Sequence, residues 1–189
     1  MAIAITHPYV VNIQMENEMT TSQISATLDK MSDTIAKIPE KAVAKHESAT
    51  ARLADGLKFQ ITGPSGMMVE TDMPFAMGGS ASQPNPGWMF RASLASCCAT
   101  VIAMRAAQTN IDLTMLEVQV DSGGDLRGIL GIDDEISAGM TSLTTKVRIA
   151  AHNATPSQLE ELVKWGNAHA PVGCTVQNAA TNSLKIEIA

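Results

Sequence analysis

Three cysteines stand in the chain, and two of them, Cys97 and Cys98, are neighbours in one apolar run. A cysteine does chemistry as its thiolate, and a nearby cation favours that form. The same run carries Arg91 and Arg105, so Arg91, Cys98 and Arg105 recur at intervals of seven residues. On an α-helix, positions seven apart lie about 20° from eclipsed, which puts all three on one face, while Cys97 sits about 100° round from Cys98. By spacing alone the arginine face makes Cys98 a candidate nucleophile. The ordinary alternative is that both cysteines are small core residues. Cys174 is the third thiol. With His169 and His152 it offers metal-ligating atoms, but their spacing follows no ligand pattern, and no metal or cofactor is expected.

The element that must carry the cysteine pair runs from Pro84 to Asn110. Asn85 can cap free amides, and Pro86 at the first helical position gives up a donor that had no partner. From there the run is unbroken helix former; at ~1.5 Å per residue it would be roughly 33 Å long. Apolar and small side chains occupy nearly every face, which predicts a helix buried all round. Burying a guanidinium without a partner is costly, so Arg91 and Arg105 must reach the surface or serve a site.

The 189 residues, 45% of them hydrophobic, suit one globular domain or a domain with an extension. A formal net charge of −6 argues against a nucleic-acid surface. Aromatics make up only 3%, while methionine numbers 12, which predicts a soft, helix-friendly core rather than a sandwich packed on rings. An odd cysteine count with one adjacent pair argues against a secreted disulfide framework. Residues 1 to 14 lack a basic n-region, and no apolar run there approaches ~18 residues. The expectation is a cytoplasmic protein with no membrane partner.

Along the chain, Ile24, Leu28, Met31, Ile35 and Ile38 recur at helical spacing, with Thr21 or Ser22 as cap and Pro39 as stop. Residues 39 to 48 read as a linker, so residues 1 to 48 form an N-terminal extension and 49 to 189 the main domain. Strands are expected at 49–53, 57–62 and 67–71, divided by Asp55-Gly56 and Gly63-Pro64-Ser65-Gly66. The loop Gly78 to Pro86 has the composition of a phosphate cradle but neither the Lys and Ser/Thr of a P-loop nor a dinucleotide fingerprint. Strands are expected again at 115–121 and 143–150, around an acidic loop, 123–139, that lacks the spacing of a calcium site. Thr155-Pro156-Ser157-Gln158 is a capping box, opening a helix that Pro171 stops or kinks. A last strand is expected at 184–188. The order of elements predicts an α+β fold with antiparallel sheets.

The run Asn85-Pro86, Phe90 and Ala95-Ser96-Cys97, with Asp125-Leu126-Arg127-Gly128 and Ala170-Pro171-Val172 beyond it, resembles the OsmC/Ohr family, the osmotically inducible and organic hydroperoxide resistance proteins. The resemblance spans about residues 49 to 189. It implies an OsmC-like α+β fold: an intertwined homodimer in which antiparallel sheets wrap long buried helices. It further implies a thiol peroxidase site at the subunit interface, with Cys97 as the reactive cysteine, oxidised by an organic hydroperoxide and restored through a second thiol and a dithiol reductant. Three positions depart from the family pattern. Gly87 stands where the organic hydroperoxide branch has a glutamate that positions the active-site arginine. Ala170 stands where the second cysteine precedes proline, which leaves Cys174 as the candidate resolving thiol. Arg52 is the candidate for the activating arginine, without the motif that normally surrounds it.

Two functions are therefore expected to compete. In one, Cys97 is a peroxidatic thiolate resolved by Cys174, by Cys98 or by an external thiol, with Arg52 as the candidate activator and Cys98 as the alternative nucleophile; Cys98 is the poorest resolver, since neighbours on a helix point about 100° apart. In the other, the fold keeps its interface pocket and binds a small apolar ligand without turnover.

Overall fold

The computed structural model describes residues 19–188. The first helix, α1 (Thr21–Lys37), opens with Thr20 as its cap. Thr20 and Gln23 form a capping box, the Gln23 side chain accepting the Thr20 N–H at 2.8 Å. The reciprocal pair needs a glutamine three residues on, which is why Thr20 takes this role in place of Thr21 or Ser22. Pro39 ends the helix and begins a 3-10 turn, Pro39–Ala42. Ile24, Leu28 and Ile35 are half-buried, whereas Met31 and Ile38 stay exposed, so the apolar stripe is only partly covered.

An antiparallel sheet comes next: β1 (Thr50–Asp55), β2 (Lys58–Thr62) and β3 (Met68–Thr71), in that spatial order. Gly56, at φ +53°, makes the first turn. The strand pleat sorts this sheet by residue type. Ala51, Phe59, Ile61 and Val69 share the face turned to Pro86 and Met89, with a cavity of about 370 Å³ between. Arg52, Gln60 and Glu70 share the other face.

The loop from β3 to the long helix is organised by a buried carboxylate. Asp72, 2% exposed, accepts hydrogen bonds from the N–H and hydroxyl of both Ser80 and Ser82, and from the Met73 N–H. The Ser80 hydroxyl first, then the Ser82 N–H, hold this carboxyl well below the usual carboxylate range. The loop whose composition suggests a phosphate cradle thus directs its donors to the protein's own anion.

Helix α2 (Pro86–Gln108) has the predicted ends, with Asn85 accepting the Trp88 N–H at 2.9 Å. It packs against α1, against the hairpin strand β4 (Leu113–Gly124), whose partner is β5 (Met140–Ala151), and against the helices α4 (Pro156–His169) and α5 (Pro171–Gln177). Cross-strand pairs Leu116 with Ile149 and Val118 with Val147 face the core. Burial all round is corrected within one chain. Leu94, Cys98, Ile102 and Ala106, four residues apart, form the buried stripe, while Trp88 remains 48% exposed, because β4 and α4 cover one side of the helix. By length and composition α2 could cross a bilayer; here it carries the core.

The acidic loop contains a short helix, α3 (Leu126–Leu130), capped by Asp125 and closed by Gly131 at φ +62°. Helix α4 begins with the expected Thr155–Gln158 box. Beyond Pro171 the chain resumes as α5, a helix that the sequence pattern leaves out. The expected strand at 184–188 does not form. Leu184, Ile186 and Ile188 alternate with Lys185 and Glu187, but a strand needs a ladder, and no described strand pairs with this segment.

Candidate functional site

Cys97 lies midway along α2 and is half-buried. Its Sγ accepts the backbone N–H of Val172 at 3.5 Å. The donor exists because Pro171 opens α5, and N–H groups of a first helical turn have no partner inside the helix. Helix α5 packs on α2 here, where a Cβ at Gly173 would meet Leu94 Cδ1 at an ordinary 3.6 Å.

Cys98 occupies a different environment. It is 1% exposed and belongs to the core with Ile102, Ala106, Leu162 and Ala170. Burial pushes its thiol up, and the neighbouring Cys97 adds to the effect. The arginine face does not act on it. Arg91 Nη1 donates to Ser122 Oγ at 3.1 Å, and the Arg105 guanidinium lies 4.6 Å over the Trp165 ring, which stacks in turn on His169 at 4.0 Å. Helical spacing places the three groups on one side as expected. Neighbours from β4 and α4 then take each guanidinium.

Cys174 is on α5, two residues beyond Val172, and its Sγ donates to the Ala168 carbonyl at 3.2 Å. All three cysteines are free thiols. Arg52 is not brought to Cys97 within its own chain. It lies on the sheet face turned away from Pro86 and Met89, and its Nη1 donates to Thr62 Oγ1 at 3.3 Å. Among the described residues no group of three His, Cys, Asp or Glu could hold a metal ion. Position 87, bare in this chain, borders Arg91 and Met140. A Cβ there would lie 3.8 Å from Arg91 Nη1 and 3.9 Å from Met140 Cε.

Val172 also lines an apolar recess, a cavity of about 840 Å³ walled by Phe90, Met140, Leu143, Pro171, Val172 and Val176, with His46 and Thr175 as its side-chain polar groups. Its size suits a small organic molecule. Val172 belongs to both places: its N–H meets the Cys97 sulfur and its residue lines the cavity. Phe90 lies seven residues before Cys97 and therefore on the same side of α2, a relationship legible in the sequence. Met140 and Val172 carry no such signal, because β5 and α5 reach the site only through the fold.

Comparison with known proteins agrees with this architecture. No curated protein matches the chain. An OsmC-like protein from Mycoplasma pneumoniae superimposes with a TM-score of 0.62 at 15% identity, over 72% of this chain and 91% of that one. An OsmC-like protein of unknown function from Vibrio cholerae gives 0.60 at 13%, over 71% and 95%. A Legionella pneumophila structure described as an organic hydroperoxide resistance protein OsmC gives 0.54 at 17%, over 72% and 92%. At these identities the likeness is one of fold. The family model described as OsmC-like protein matches residues 79–185, from the Asp72-bound loop through α2, the hairpin, α4 and α5, and the chain belongs to that family.

Proposed function

We propose that this protein is a thiol-dependent peroxidase that reduces organic hydroperoxides at Cys97 in oxidative stress defence. One observation carries the reading: a half-buried thiol whose sulfur already accepts an N–H, from a residue that also lines an apolar cavity of ligand size. The description of the Legionella relative, an organic hydroperoxide resistance protein, supports the same chemistry.

In the reaction, the Cys97 sulfur attacks the terminal oxygen of the hydroperoxide. An S–O bond forms, the O–O bond breaks, and the departing alkoxide takes a proton to leave as the alcohol. Cys97 becomes a sulfenic acid. A second thiol attacks that sulfur, expelling water as the S–S bond forms, and a dithiol reductant returns both cysteines to thiols. The Val172 N–H stabilises negative charge on sulfur before attack. Phe90, Met140 and Leu143 take the organic part of the substrate out of water. Cys174, on the same short helix as Val172, is the proposed resolving thiol. Arg52, turned away within its own chain, would reach a thiolate only across a subunit boundary. A second copy would also cover the exposed side of α2 and the unpaired 184–188 segment, so the site is proposed to be complete in a homodimer. Residues 1–48 are then an extension on a domain of residues 49–189, and the protein works in a reducing cytoplasm where its thiols stay free.

Gly87 and Ala170, at positions where the resembled peroxidases carry glutamate and cysteine, favour a second reading, in which the same cavity binds an apolar ligand without turnover. Trapping sulfenic acid with a carbon-acid probe after treatment with cumene hydroperoxide, followed by mass mapping, separates the two. A Cys97 adduct supports the peroxidase. No adduct at Cys97, and no peroxide consumption with any dithiol, leaves the ligand-binding protein.

A further inference from the structure

His46 lies on the segment that joins the N-terminal extension to β1, thirty-three residues before the family match begins at residue 79. Yet it lines the same cavity as Val172, the residue whose N–H meets the Cys97 sulfur. The extension reaches this point by a short route: α1 packs on α2, Pro39–Ala42 makes one 3-10 turn, and a stretch without regular secondary structure runs on to Thr50. The other lining residues are apolar or carry no titratable group, Thr175 contributing only a hydroxyl. Among the described residues His46 is the one side chain of the cavity wall able to give up a proton. Its own segment adds Lys45 and Glu47; Arg91, near Met140, is engaged by Ser122.

Resting on the peroxidase reading, we infer that His46 is a catalytic residue of the Cys97 site, donating the proton that the departing alkoxide needs. An alkyl hydroperoxide expels the anion of a very weakly acidic alcohol, and an apolar cavity offers that anion no solvation. Proton transfer in step with O–O cleavage removes the difficulty, and histidine is the side chain whose charge changes in the neutral range. The imidazolium loses its proton to the alkoxide oxygen as the S–O bond forms, the alcohol leaves, and solvent returns a proton to the exposed ring. The extension thereby becomes part of the active site, its linker forming one wall of the cavity.

Leaving-group acidity tests this in the full-length protein. Cys97 oxidation is followed by stopped-flow with tert-butyl hydroperoxide, whose alkoxide must be protonated, and with peracetic acid, whose carboxylate leaves without help. For His46→Ala, and for His46→Gln as a second variant that keeps the polar volume, the expected loss with the alkyl hydroperoxide is about 100-fold, the low end of general-acid effects, with the peracid rate within about twofold of wild type. Equal slowing with both oxidants, or none with either, overturns the role of His46 while the peroxidase reading stands. Failure of wild-type Cys97 to react with either oxidant overturns both.

Discussion

Gly166 of α4 crosses α2 directly over Ile102, so closely that a Cβ built on the glycine would clash with Ile102 Cγ1 and lie 3.1 Å from its Cα. Ile102 is fully buried at the centre of the core and has no room to retreat. This crossing sets the distance between the helix that carries Cys97 and the helix that delivers α5 to it.

Gly166→Ala is therefore expected to destabilise. Alanine gains roughly 1 kcal/mol of helix propensity over glycine, but overpacking against a backbone costs about 1 to 3 kcal/mol, and here steric conflict wins. Gly173→Ala is the control, since its new methyl would meet Leu94 at an ordinary 3.6 Å. Urea denaturation should show a lower midpoint for the first variant and no loss for the second.

The three thiols should separate by function. Cys97→Ser is expected to abolish hydroperoxide consumption with a dithiol, and Cys98→Ser, in the core, to leave most of it. Cys174→Ser should slow turnover while leaving the first oxidation of Cys97 at its wild-type rate. Since Gly87 replaces the positioning glutamate, the wild-type rate should be low beside that of dedicated peroxidases. Peroxide consumption coupled to dithiol oxidation reads all of these together.

Asp72 links stability to acid. Its folded-state carboxyl is depressed, so the stabilisation is present above the ordinary aspartate value of about 3.9 and is lost as pH falls below it. Melting temperature should drop steeply below about pH 4, and Asp72→Asn, which cannot accept from all five donors, should lower stability at pH 7 and flatten that acid slope. An unchanged slope would show that other carboxylates govern it.

Sedimentation equilibrium should find a dimer. Trp88 on α2, and Leu184, Ile186 and Ile188 on the unpaired tail, leave apolar surface that a second copy would cover, and an obligate pair of this kind is expected to bury well over ~2,000 Å². A folded monomer at micromolar concentration would refute it.

Local signals made much of this legible. Asn85-Pro86 and Thr155-Pro156-Ser157-Gln158 mark helix starts by capping chemistry alone, and the five strands of the two sheets lie where alternation and turn residues put them. Features that depend on distant segments were not legible. The common face of Arg91, Cys98 and Arg105 is real, but neighbours seven residues apart are roughly 10 Å apart along the axis, and Ser122 and Trp165 lie nearer to hand. Helix α5 spans seven residues, too few for a periodic pattern. His46 sits in a polar linker with nothing in its surroundings to mark it.

The bond from Val172 to Cys97 joins residues 75 positions apart. Domains emerge from the ribosome N-terminal end first, so the thiol is made well before its donor. Between them come the hairpin and α4, both of which pack on α2. Cys97 consequently spends that interval in a chain whose cavity has no Pro171–Val172 wall, and its sulfur meets the Val172 N–H only after those 75 further residues have been made.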